Sequence, residues 1–159
     1  MLIGATVGYA PPEQYEAGNP RVSARTDVFS LAAIAHELFA GRPAFPVAPK
    51  EGALRVLARM MTGPPPSILS DARLPPELAA RPDLAAAIDV ALVRALDPEP
   101  SARYASVEEL FAALEPSMRA ALSVSIAATG EVAPSGEEET VPGNMPLPTL
   151  EEMLKKRGR

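Results

Sequence analysis

The 159 residues contain no cysteine and one histidine, His36, which excludes a disulfide, a thiolate zinc site and a histidine metal cluster. A formal net charge of -5 argues against a basic nucleic-acid-binding face. The length suits one modest domain, or a smaller domain with a tail, and no apolar run reaches the ~18 residues that a membrane span needs.

Met1-Leu2-Ile3-Gly4 carries no basic stretch ahead of an apolar core. No secretory signal is expected there, and the expected compartment is the cytoplasm. The spacing of apolar residues predicts a first helix over residues 26–40. Val28, Phe29, Leu31, Ile34, Leu38 and Phe39 cover more than half its circumference, and Gly41 is a natural stop. A helix this apolar should be central and covered on several sides. A second helix is expected over 52–61, with Leu54, Leu57, Met60 and Met61 on one face and Gly63-Pro64-Pro65-Pro66 after it. A third is expected over 83–96, with Asp83 as its N-cap and Leu84, Ile88, Leu92 and Leu96 four residues apart. The fourth opens on Ser106-Val107-Glu108-Glu109, a capping box, and carries Val107, Leu110, Phe111 and Leu114 as its apolar stripe.

The composition changes near Pro116. Residues 117–148 are rich in Ser, Thr, Gly and Pro and include Glu137-Glu138-Glu139, so they read as a disordered linker. A short helix is expected over 149–157, where Thr149 is a possible cap, Glu151 and Glu152 come early and Lys155, Lys156 and Arg157 come late. No segment alternates with period two, so no strand is expected. The expected fold is all-α: four helices in residues 1–116 and a tail over 117–159.

Three stretches carry a motif. The first is Gly4-Ala5-Thr6-Val7-Gly8-Tyr9-Ala10-Pro11-Pro12-Glu13-Gln14. The second is Thr26-Asp27-Val28-Phe29-Ser30-Leu31, followed by Glu37-Leu38-Phe39-Ala40-Gly41-Arg42-Pro43-Ala44-Phe45. The third is Ala95-Leu96-Asp97-Pro98-Glu99-Pro100-Ser101-Ala102-Arg103-Tyr104. In order and spacing they resemble the C-terminal part of the large lobe of serine/threonine protein kinases: the end of the activation segment, the central helix with its following loop, and the turn before the last helix. Glu13-Gln14 after the prolines is similar to the bacterial branch. Ala5 stands where the family has Gly, Pro11 where it has Ala, and Ala32 where it has Gly.

The resemblance implies roles for single residues. Glu13 and Arg103 would form a buried ion pair tying the activation segment to the helical core, a task suited to the planar guanidinium fork. Thr6 and Tyr9 would lie in the loop that docks the substrate, although an ordinary polar turn fits the same residues. Asp27 would start the central helix and hold the catalytic loop; a simple helix-start carboxylate accounts for it equally well. His36 reads as a structural histidine.

Phosphoryl transfer needs a Gly-rich loop, a lysine on the phosphates with a Glu partner, a catalytic-loop Asp and a metal-binding Asp before Phe-Gly. Neither His-Arg-Asp nor Asp-Phe-Gly occurs in these 159 residues, and the first lysine is Lys50. No catalytic, ATP-binding or metal-binding residue is therefore assigned. The parent family would use ATP and Mg; no cofactor is expected for this chain. Three readings remain open. In one, the chain is a truncated kinase fragment whose partner is a missing N-terminal half. In the second, it is a non-enzymatic interaction module that keeps the substrate-docking surface. In the third, it is a decayed pseudogene product with no role. Apolar surface left uncovered on the central helix would also favour self-association.

Overall fold

The computed structural model describes residues 6–18, 20–63, 67–70 and 74–129. The fold is all-α, with five helices among the described residues: α1 (Ala24–Ala40), α2 (Ala53–Met61), α3 (Pro76–Ala79), α4 (Pro82–Ala95) and α5 (Val107–Thr129). Single 3-10 turns occur at Pro12–Tyr15, Ile68–Ser70 and Pro100–Ala102, and no strand occurs among the described residues. Each of the four expected helices is present. The one-turn α3 lies outside the four expected helices; Pro76 suits its first turn, where the missing N–H has no partner to lose.

Helix α1 starts two residues earlier than the apolar pattern suggests. Ser23 is its N-cap: Ser23 Oγ accepts from the Arg25 N–H at 3.3 Å, and Thr26 Oγ1 accepts from the Ser23 N–H at 3.1 Å. The helix ends at Gly41, whose left-handed backbone (φ 67°) carries no steric cost for glycine. Helix α4 corrects a second expectation. Pro82 occupies its first turn and Arg81 is the cap, so Asp83 lies inside the helix and pairs with Arg81 at 2.8 Å.

The largest correction concerns the boundary at residue 116. Helix α5 does not stop there; it continues through Pro116 to Thr129, so residues 117–129 are helix and not linker. A proline inside a helix removes one N–H···O bond and crowds the carbonyl four residues back. Here Pro116 and Ala112 are both exposed, so water can satisfy the freed carbonyl. Ser117 and Ala121 beyond it are buried and Met118 packs on the core, which offsets the local cost. Residues 130–159, including the expected helix over 149–157, lie outside the described residues.

Helix α1 is packed by α4, α5 and the turns at 68–70 and 100–102, and the most extensive helix contact is between α4 and α5. Val28, Phe29, Ala32, Ala33, His36 and Ala40 form its buried side. Ile88, Leu92 and Ala95 of α4, Leu110 and Leu114 of α5, and Val56 and Met60 of α2 complete one core. Asp89 pins the incoming loop to α4, accepting from the Ile68 N–H at 2.8 Å and the Ser67 hydroxyl at 2.9 Å. Coverage of α1 is incomplete. Leu31, Ile34 and Leu38 are 37%, 47% and 75% exposed, and with exposed Asp27 they form one stripe at helical spacing.

Candidate functional site: a groove between the N-terminal segment and α1

The segment before α1 is held as a compact turn. The N–H groups of Tyr9 and Ala10 both donate to the Thr6 carbonyl, at 3.1 and 3.0 Å. Gly8 has φ 94°, and a Cβ there would sit 2.8 Å from the Phe45 carbonyl oxygen. Only glycine lets the turn lie this close to the loop after α1.

The turn at Pro12–Tyr15 then carries Glu13 into the interior. Both Glu13 oxygens are engaged by Arg103, at 2.7 and 3.0 Å, and neither side chain is exposed. Thr26 Oγ1 donates a further bond to Glu13 at 3.0 Å. Arg103 spends its other donors on carbonyls: Asp97 at 2.6 Å, Arg25 at 3.0 Å and Pro98 at 3.1 Å. All five guanidinium N–H groups thus have an acceptor, the condition under which a buried charge is tolerable. Arg25 closes the cluster by donating to the Arg103 carbonyl at 2.7 Å.

Between this anchored segment and α1 lies an open groove of about 530 Å³, lined by Thr6, Tyr9, Ala10, Gln14, Ser30, Ile34 and Glu37. Tyr9 Oη donates to Glu37 Oε2 at 2.5 Å. That bond, with some help from burial, raises the Tyr9 pKa above its ordinary value and fixes the carboxylate against the groove wall. Thr6 and Tyr9, singled out in the sequence, share this groove. Glu13 and Arg103 sit behind it as its anchor. Asp27 is separate from both; it is exposed at the start of α1 and does not line the groove. Ser30, Ile34 and Glu37 were not singled out. Their spacing of four and three residues puts them on one helical face, a signal hidden by the apolar excess of α1.

The lining offers hydroxyls, an amide and one carboxylate, and contains no histidine, lysine or cysteine. Among the described residues no three of His, Cys, Asp and Glu come together as a metal cluster, and no helix is long and apolar enough to cross a membrane.

No family model matches the chain. In sequence it is similar to the serine/threonine-protein kinase PknH of Mycobacterium bovis and of Mycobacterium tuberculosis, 29% identical over 111 residues in each. The match covers 68% of this chain and 16% of each relative, so the chain spans about a sixth of the proteins it resembles. The chain is kinase-like in sequence to that extent.

Proposed function

We propose that the described residues form the substrate-docking end of a serine/threonine protein kinase large lobe, and that these 159 residues do not transfer phosphate by themselves. The observation that carries the reading is the buried Glu13–Arg103 pair. It ties the segment that walls the groove to the turn before α5, which is what a docking surface needs in order to keep its shape. The likeness to PknH supports it. In this reading the groove holds a polypeptide beside its Ser or Thr. ATP and Mg are held by groups outside these residues, because no phosphate-binding loop or metal carboxylate motif occurs among them. The compartment is then the cytoplasm, where ATP is available.

The in-frame DNA ahead of the Met1 codon tests the proposal. Codons for a Gly-rich loop, a phosphate lysine, a catalytic-loop Asp and Asp-Phe-Gly are the expected result. A stop codon there, with no separate polypeptide supplying those motifs, overturns the catalytic part. A second reading then takes over, a non-enzymatic interaction module, favoured by the exposed apolar stripe of Leu31, Ile34 and Leu38 beside the groove. That stripe is also where a kinase N-terminal half, or a second copy of the chain, would pack.

A further inference from the structure

A second cavity lies on the other side of α1, between its C-terminal end, α3, α4 and α5. It measures about 150 Å³ and is lined by Phe39, Leu78, Ile88, Met118 and Leu122 among others, with Glu77 as its one charged residue. Its floor is interior: Leu78 and Ile88 are almost wholly buried. Its wall is not, since Leu122 is 61% exposed. The cavity exists because α5 continues past Pro116; without residues 117–129 there would be no wall bearing Met118 and Leu122. Water against such a lining has few polar partners, so an apolar side chain is the better occupant.

We propose that the occupant is the chain's own C-terminal segment, with one side chain of the Leu150, Met153 and Leu154 face seated in this groove and the others resting on its exposed rim at Leu122. Thirty residues follow Thr129, from 130 to 159. Within them, prolines recur until Pro148. After it comes the one proline-free stretch whose large apolar residues fall at i, i+3 and i+4. One helical turn puts Leu150, Met153 and Leu154 on a single face. The segment is too short to be a stable helix in water, so it needs a surface to fold against.

Reach and charge both permit the contact. Leu122 lies seven residues before Thr129, roughly 10 Å back along α5 at ~1.5 Å per residue. The ~20 residues joining Thr129 to Leu150 span roughly 25 Å as a flexible coil. The tether therefore delivers the segment at high local concentration. Lys155, Lys156 and Arg157 immediately follow the apolar face and complement Glu77 at the groove. The groove holds about one leucine-sized side chain, so the contact is a weak, reversible latch. It does not depend on the kinase-like reading, and its test does not touch the Tyr9–Glu37 groove.

The test uses the full chain with a nitroxide attached to the Gly158→Cys variant, which is selective because the native chain has no cysteine. Paramagnetic broadening is then read at the backbone amides. The expected result is broadening several-fold stronger at Glu77, Leu78, Met118 and Leu122 than along α2. It should be lost in the Leu150→Ser, Met153→Ser, Leu154→Ser triple variant. Unchanged amide shifts along α1 and α2 in that variant serve as the control that the fold is retained. Uniform or absent broadening overturns the proposal, as does broadening that survives the triple variant. A mixture of spin-labelled chain and unlabelled isotope-enriched chain separates the alternatives. Broadening of the enriched partner to the same degree means a second copy fills the groove, and the intramolecular latch is refuted.

Discussion

The guanidinium carbon of Arg103 lies 4.8 Å from the centroid of the Phe29 ring, so the cation that neutralises Glu13 also rests on the aromatic core of α1. Phe29 in turn stacks on Phe45, with centroids 5.8 Å apart. One arginine thus joins an ion pair, three carbonyls and an aromatic pair. Removing either partner strands a buried charge, which typically costs ~3–5 kcal/mol. Glu13→Ala and Arg103→Ala are each expected to lower stability by about that much in urea unfolding, and the double variant should lose less than the sum. Arg103→Lys should recover little, because an ammonium cannot present the fork. Single variants within ~0.5 kcal/mol of the native chain would contradict the burial described.

The Tyr9–Glu37 bond sets an alkaline limit. The folded state holds the Tyr9 proton above the ordinary phenol value, because Glu37 accepts it and burial disfavours the phenolate. Burial acts in the same direction on Tyr15. A raised folded pKa gives stability that is complete below the unfolded value of about 10 and is lost as pH rises through the folded one. Unfolding free energy measured between pH 8 and pH 11 should therefore fall more steeply for the native chain than for Tyr9→Phe. Parallel profiles would remove the bond from the stability account.

Millimolar MgATP should leave the thermal midpoint of the chain unchanged. A ligand that binds the native state must raise stability in proportion to its occupancy. The groove beside Tyr9 holds no cation to meet a triphosphate and has a carboxylate that repels one. A clear upward shift would mean that a nucleotide site exists in these residues and would sink the non-catalytic reading.

Pro116 predicts a stabilised variant. It sits on the solvent side of a continuous helix, where proline is about 3 kcal/mol less favourable than alanine. Pro116→Ala should raise stability by up to about that amount, by restoring the bond to the Ala112 carbonyl. Limited proteolysis should leave the bonds on either side of Pro116 uncut. A fragment ending near 116, or no gain from the alanine, would contradict a continuous α5.

The exposed stripe on α1 should be sticky. Leu31, Ile34 and Leu38 present apolar surface at consecutive turns, and contiguous surface of this kind marks an interaction site or an association liability. The native chain is expected to bind a hydrophobic dye or self-associate in sedimentation. Leu31→Gln with Leu38→Gln should reduce both, with little loss of stability, because neither side chain is buried. A monodisperse native chain that ignores the dye would refute this.

Much of this architecture is legible in the chain itself. Local rules suffice for it: apolar residues at helical spacing, glycine at position 41, and the Ser106 cap, which accepts from the Glu109 N–H at Oγ, although the Glu109 carboxylate accepts from the Ala105 N–H and not from that of Ser106. The start of α1 and the cap of α4 differ from the apolar pattern by one or two residues, because the Ser23 hydroxyl caps α1 and the Pro82 ring suits a first helical turn, neither of which periodicity reports. Three features were decided only by tertiary packing. Helix α5 passes through Pro116 because buried contacts beyond it outweigh a lost bond on the solvent side, and a local reading sees only the loss. The pairing of Ser30, Ile34 and Glu37 with Thr6 and Tyr9 depends on where Gly8 lets one segment settle against another. Which apolar residues of α1 are core and which are surface also belongs to the fold. Val28 and Leu31 look alike in the sequence, and they differ because α4 and α5 pack on one side of the helix while the other is only partly covered by the described residues.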